Sequence, residues 1–254
     1  MLTSLSRHLR APSSVAPAFI LFLAFVLSAT HGHAASVKGS GRIASEQRTM
    51  LDFDSIALKG SLSLEVRQTG KESVTVTADD NLLALVETQL QSGPTGRTLM
   101  ISMRSGGSYF SKNDIKVVVE VAKLSALSSA GSGNVKVQNL KTPALKISVA
   151  GSSDVQLNGL ETQALEVRIA GSGDVRASGK TTQLKLNIAG SGDAGLKELI
   201  ADEVTASIAG SGDAQVTANK RMHATVAGSG DLRWSGSATD VRSSTMGSGT
   251  IKKN

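Results

Sequence analysis

No cysteine occurs among the 254 residues, so the chain can hold neither a disulfide framework nor a lipid-modified cysteine. Aromatic residues make up only 3%, and the net charge is +6, falling to +4 (25 basic, 21 acidic) once residues 1–34 are set aside. That excess is mild and scattered. A nucleic-acid surface needs a basic cluster interleaved with aromatics, and neither is present. Beyond the N-terminus no apolar run reaches the ~20 residues that span a bilayer, which leaves no transmembrane segment in a mature chain. Histidine is nearly missing as well. Outside residues 1–34 only His223 remains. It sits beside the alternating Met222, Ala224 and Val226, as an outward strand residue rather than a general base. A catalytic set is hard to assemble from this inventory, and no cofactor or metal set is expected.

The N-terminus carries an export signal. Arg7, His8 and Arg10 form a basic start, Ala18–Ala29 (AFILFLAFVLSA) is apolar, and Gly32 and Ala34 put small residues where a signal peptidase reads. The apolar run is too short to span a membrane as a helix. Residues 1–34 are therefore expected to be a secretory signal cut after Ala34, and the mature protein to be exported to the periplasm, the exterior or the cell surface.

Residues 35–52 are polar and glycine-containing and read as a flexible lead-in. Period-two alternation starts near Phe53 and Ile56 and continues through Leu62, Leu64 and Val66, then Val74 and Val76. Asn81–Leu85 reads as a short helical turn, followed by a strand, the Gly93–Gly96 turn and a second strand through Leu99, Ile101 and Met103. Arg104–Asn113 reads as a loop carrying Tyr109 and Phe110, before Ile115–Val121 resumes a clean alternation.

From there one motif governs the chain. It reads AGSGN at Ala130–Asn134, AGSSD at Ala150–Asp154, and AGSGD at Ala170–Asp174, Ala189–Asp193, Ala209–Asp213 and Ala227–Asp231, closing as MGSGT at Met246–Thr250. The period of about 20 residues marks an array of one supersecondary unit. Each unit holds two strand-like pieces with one apolar and one polar face, such as Leu165, Val167, Ile169 before a motif and Val175, Ala177 after it. Helical spacing is absent, and propeller blades need twice the length. The pattern predicts an all-β fold over residues 53–254: a single-stranded, right-handed parallel β-helix with seven marked rungs and Gly-Ser-Gly-Asp corners. At the corners, Gly131, Gly151, Gly171, Gly190, Gly210, Gly228 and Gly247 supply positive φ. The second glycine is replaced once, by Ser153, which makes the first the demanding position.

The acidic column, Asp154, Asp174, Asp193, Asp213 and Asp231, is the foremost candidate site. Calcium-binding β-rolls use a nonapeptide repeat of different spacing, so each Asp is expected to accept backbone hydrogen bonds at its own corner. Asp174 with Arg176, and Asp231 with Arg233, have the residue types of polysaccharide-cleaving β-helices, but also of ordinary solvated pairs. Trp234 falls in an inward phase, as core or end cap. Tyr109 and Phe110, on their loop, are the contact candidates.

These motifs, with the opening FDSIALKGSLSLEVRQTGKESVTV and the closing LRWSGSATDVRSSTMGSGTIKK, resemble the auto-transporter adhesin head domain (GIN domain) family from about Phe53 to Lys252. The resemblance implies a bacterial envelope or secreted β-helical protein with an adhesive role. No translocator barrel follows Asn254, so self-export is not carried over. The reading is a non-enzymatic envelope protein that binds a surface protein or polysaccharide. The alternatives are a lyase-like β-helix enzyme and a purely structural envelope factor.

Overall fold

The computed structural model describes residues 36–93 and 96–254; the expected signal, residues 1–34, lies outside them. The first strands are β1 (Val37–Lys38), β2 (Ile43–Arg48), β3 (Ser55–Gly60), β4 (Ser63–Gln68) and β5 (Ser73–Asp79). A single 3-10 turn at Leu83–Leu85 leads into β6 (Val86–Gly93), β7 (Gly96–Met103), β8 (Tyr109–Phe110) and β9 (Lys116–Val121). The repeat region supplies β10 (Ala126–Gly131), β11 (Asn134–Gln138), β12 (Lys141–Gly151), β13 (Asp154–Gly171), β14 (Val175–Gly190), β15 (Ala194–Gly210), β16 (Ala214–Gly228), β17 (Asp231–Ser235), β18 (Asp240–Gly247) and β19 (Thr250–Lys253).

From β10 onward all pairing is parallel, each strand lying on its equivalent one repeat later: Leu145 on Leu165, Leu165 on Leu184, Leu184 on Val204. The result is a β-solenoid of about six turns with rungs of about 20 residues. The alternation of the sequence becomes vertical interior columns, because side-chain direction has period two and like pieces stack in register. One column runs Leu58, Ser129, Val149, Ile169, Ile188, Ile208, Val226, and another Leu64, Val135, Val155, Val175, Ala194, Ala214, Leu232. A third side of each rung was not visible in the two-piece reading. After Leu157 the residues Asn158 and Gly159 both face out, and Leu160 turns in again. Two consecutive outward residues mark a bend, and a column of Leu140, Leu160 and Leu199 fills the extra side. Gly179 stands between Leu160 and Leu199 in register, and a Cβ there would lie 2.1 Å from the carbonyl oxygen of Leu160.

Ser129 is the polar exception in the core. It is buried between Leu58 and Val149, and its Oγ has no hydrogen-bond partner. A buried hydroxyl left unpaired costs about 1–3 kcal/mol. Ser129→Val should therefore raise stability by roughly 1–2 kcal/mol, read as a higher urea midpoint at unchanged slope. A lower midpoint would show that the hydroxyl is satisfied or the site too tight.

The N-terminal third departs from the expected helix in two ways. In the lead-in, read as flexible, residues 36–52 carry two paired strands: β1 pairs with β8, and β2 runs antiparallel to β5 over six residue pairs. Arg48 holds β2 down, its guanidinium donating to the carbonyls of Leu83 and Val86 at 2.9 and 2.6 Å. Nor is the parallel coil continuous from Phe53. The β3–β4 rung pairs with β10 and β11 on one side and with β7 and β9 on the other. Strands β6 and β5 then add antiparallel to β7 and β9. The chain lays down its first rung, builds an antiparallel cap below it, and crosses back through Leu124 to continue above. That cap covers the end of the core, where Phe53, Leu62, Leu82 and Leu99 are fully buried.

Candidate functional site

The corner glycines form one stack. In the first glycines of the seven motifs φ lies between +95° and +134°. The serine after each donates its N–H to the glycine carbonyl one rung back, at 2.7–3.2 Å from Ser132 to Ser248. The stack begins one rung earlier than the motif count: Gly60 pairs with Gly131 at φ +94°, and Ser61 Oγ meets Ser132 Oγ at 3.0 Å. Lys59-Gly60-Ser61-Leu62 lacks the alanine and the second glycine. Its Gly-Ser after a period-two strand was the available signal.

The second glycines are demanding too, for a different reason. Their φ is ordinary, but a Cβ at Gly173, Gly192 or Gly212 would lie 2.2–2.3 Å from the carbonyl oxygen of the residue below. At the rung that carries Ser153 the backbone differs: φ of Gly151 is +95°, against +125° to +134° at Gly171, Gly190, Gly210 and Gly228. Even so, Ser153 Oγ is buried without a partner.

The five aspartates line one edge of the stack, though they do not cap their own corners. Asp174 N–H donates to Asp154 Oδ1 at 3.4 Å, Asp193 N–H to Asp174 Oδ1 at 3.1 Å, and Asp213 N–H to Asp193 Oδ1 at 2.8 Å. Asp231 N–H continues to Asp213 Oδ1 at 2.8 Å, and Thr250 ends the ladder with N–H and Oγ1 both on Asp231 Oδ1. Each carboxylate thus staples its rung to the next. The strand ladder is interrupted at the corner, and the N–H freed there needs an acceptor from below. The Thr250 hydroxyl and N–H hold the Asp231 carboxyl below the usual carboxylate range. Arg176 and Arg233 reach Asp174 and Asp231 at 3.3 Å in exposed pairs. Among the described residues no cluster of three or more His, Cys, Asp or Glu is arranged to hold a metal ion.

The bonding pattern predicts an asymmetric mutational response. Asp193→Asn keeps an acceptor oxygen and removes one of a row of like charges, so it should be neutral within roughly 0.5 kcal/mol. Asp193→Ala should cost about 1 kcal/mol for the inter-rung bond. Thermal melts with excess calcium and with chelator should coincide. A gap of more than about 10 °C would reveal a metal bound only by the folded state.

The aromatic pair divides. Tyr109 packs partly buried against the core, while Phe110 is 58% exposed. Phe110 borders a dent of about 200 Å³ lined by Lys38, Gly39, Ser40, Gly41, Asp79 and Lys112. Its floor is Asp79, which the sequence gave no reason to single out. The carboxylate is 1% exposed and accepts from the hydroxyl of Ser111, from Asn113 Nδ2 at 2.9 Å and from Gly41 N–H at 3.0 Å. Ser111, then Asn113, hold it below the usual carboxylate range. Asp79 thereby ties the segment after β1 and the loop after β8 into one tip. Gly39 has no side chain because a Cβ would overlap Asp79. At the opposite end Trp234 is buried, with the Lys253 ammonium 4.7 Å from its ring centroid, as an end cap. His223 faces outward, 3.5 Å from Asp240.

The family model described as "Putative auto-transporter adhesin, head GIN domain" matches residues 52–238. No curated protein matches the chain. Among solved structures, a "putative adhesin" of Bacteroides fragilis is 26% identical with a TM-score of 0.78, covering 86% of this chain and 100% of the other. A "putative lipid binding protein" of Parabacteroides distasonis is 26% identical, TM-score 0.71, covering 87% and 100%. A "putative adhesin" of the same organism is 24% identical, TM-score 0.67, with the same coverage.

Proposed function

The chain belongs to the auto-transporter adhesin head GIN-domain family, and from that premise we propose that it is an exported, non-enzymatic protein that binds a ligand of the cell envelope or cell surface. The solenoid is a right-handed coil that serves as a rigid post, and the Asp79-pinned tip is its contact point. The observation that carries this reading is Phe110. It is a large exposed aromatic on a chain with few aromatics, held on a two-residue strand and bordered by Lys38, Lys112 and a polar dent. An aromatic face beside hydrogen-bonding groups suits a sugar ring or a partner's side chain.

The test is retention of protein starting at Ala35 on immobilised envelope polysaccharides and envelope proteins, compared with Phe110→Ala. Retention should fall at least tenfold in the variant at unchanged melting temperature. Equal retention removes the tip from the reading. Formation of unsaturated sugar products from acidic polysaccharides, above a boiled control, replaces the reading with an enzymatic one. Intact mass of the exported protein should begin at Ala35.

A further inference from the structure

Along one edge of the solenoid, after the second corner of each turn, the charges change sign rung by rung. The first rung presents Lys141 and Lys146, the second Glu161 and Glu166, and the third Lys180 and Lys185, stacked in register. The fourth presents Asp202 and Glu203, and the fifth Lys220 and Arg221. The sixth places Asp240 beside Arg221, with Arg242 3.6 Å from Asp240, so that rung carries both signs. Ion pairs join neighbours within each half: Glu161 to Lys141 at 3.4 Å and to Lys180 at 3.3 Å, Lys220 to Asp202 at 2.9 Å, and Arg221 to Glu203 at 3.0 Å and Asp240 at 3.1 Å. Among the described residues no ion pair joins the third rung to the fourth. At that break stands Ile200, 45% exposed. Two grooves, of about 530 and 560 Å³, flank the line of Pro143, Gln163 and Thr182 along the same edge.

The stripe has almost no net charge, so it does not attract a polyanion or a polycation. What it complements is a strip of the same period and opposite phase. The second to fifth rungs have that property toward themselves: turned end for end, each positive rung meets a negative one. We propose that this edge is the contact of a two-fold symmetric dimer of this chain, the two solenoids antiparallel. The axis passes between the third and fourth rungs. There Lys180 of one copy faces Asp202 and Glu203 of the other, and the two Ile200 side chains lie close to the axis, with Lys185 five residues further along the strand. The ridge between the grooves seats in a groove of the second copy and, by the symmetry, reciprocally. Six rungs at ~4.8 Å by about six residues at ~3.3 Å cover roughly 550 Å² per copy. The total, about 1,100 Å², is just below the span of standard specific interfaces, as expected for a dimer that dissociates in the micromolar range.

Sedimentation equilibrium tests this with two charge-reversed variants, Lys180→Glu with Lys185→Glu, and Asp202→Lys with Glu203→Lys. The wild-type chain should be dimeric by ~100 µM and shift toward monomer as salt is raised. Each variant alone opposes like charges across the axis and should be monomeric. A mixture of the two pairs opposite charges across the axis again and should recover dimers. A charge stripe acting only within the chain cannot produce that recovery. Ile200→Asp should also give a monomer, and unchanged circular dichroism establishes that each variant is folded. If a variant is unfolded, Ile200→Asp carries the test. A wild-type monomer at ~100 µM, or dimers that survive the reversals or Ile200→Asp, or a mixture that stays monomeric would each overturn the proposal.

Discussion

Replacing Gly171 by valine should cost about 3–5 kcal/mol, a large part of the 5–15 kcal/mol that usually holds a domain together. Two independent effects add at this position. The backbone has φ +125°, a conformation that β-branched residues rarely adopt and that costs about 1–3 kcal/mol in strain. The new Cβ would also lie 2.5 Å from the Gly151 carbonyl oxygen, the same oxygen that accepts from Ser172 N–H at 2.8 Å. Relieving the overlap pushes two rungs apart and weakens that bond, for about 1–3 kcal/mol more. Gly173→Ser meets only the second effect, since its φ is unstrained, and the rung of Ser153 shows that the stack can admit a side chain at this position. Its cost should stay near 1–3 kcal/mol. Urea denaturation of both variants decides the matter. Equal losses would mean that rung-to-rung clearance alone sets the glycine requirement and that φ contributes nothing.

Leu186→Ala is the second large effect, at about 2–5 kcal/mol. Leu186 is fully buried in the column Ile147, Val167, Leu186, Ala206, Ala224. Toward the C-terminus that column narrows to alanine at Ala206 and Ala224. The truncation removes leucine where the next rung is already small, and hydrogen-bonded rungs on both sides resist collapse into the void. Because each rung touches only its neighbours, the loss is local and should leave the cap at β2–β9 unchanged. Amide exchange would show faster opening in β13–β15 with little change in β5 and β9. A loss below about 1 kcal/mol would place Leu186 outside a tightly packed interior.

Much of this protein was legible in its sequence. The spacing of the Gly-Ser-Gly motifs set the rung length. The alternation in pieces such as Leu165-Val167-Ile169 set which side chains enter the core, because period two along a strand permits only one buried face. The first glycine stood out by its recurrence in all seven copies, and all seven have positive φ. The second glycine was misjudged: the Ser153 copy suggested freedom, whereas crowding by the rung below constrains the position, and crowding depends on a neighbour about 20 residues away.

Tertiary structure decided what no repeat encodes. The cap joins Ile43–Arg48 to Ser73–Asp79, and Val86–Gly93 to Gly96–Met103, in antiparallel pairs between dissimilar segments, so no internal comparison could find them. The Ser55–Gln68 rung lies in the middle of the sheet although it comes early in the chain, since the strands that follow it pair on its other side first. Asp79 reads as one carboxylate among many until folding brings Gly41, Ser111 and Asn113 around it. The aspartate column was visible as a column, but only the register shows that each carboxylate serves the N–H of the next rung. Repetition determines a period and a phase along the chain. Which neighbour a group meets across the stack is fixed only when the sheets are paired, because hydrogen bonds and close contacts between rungs join residues far apart in sequence.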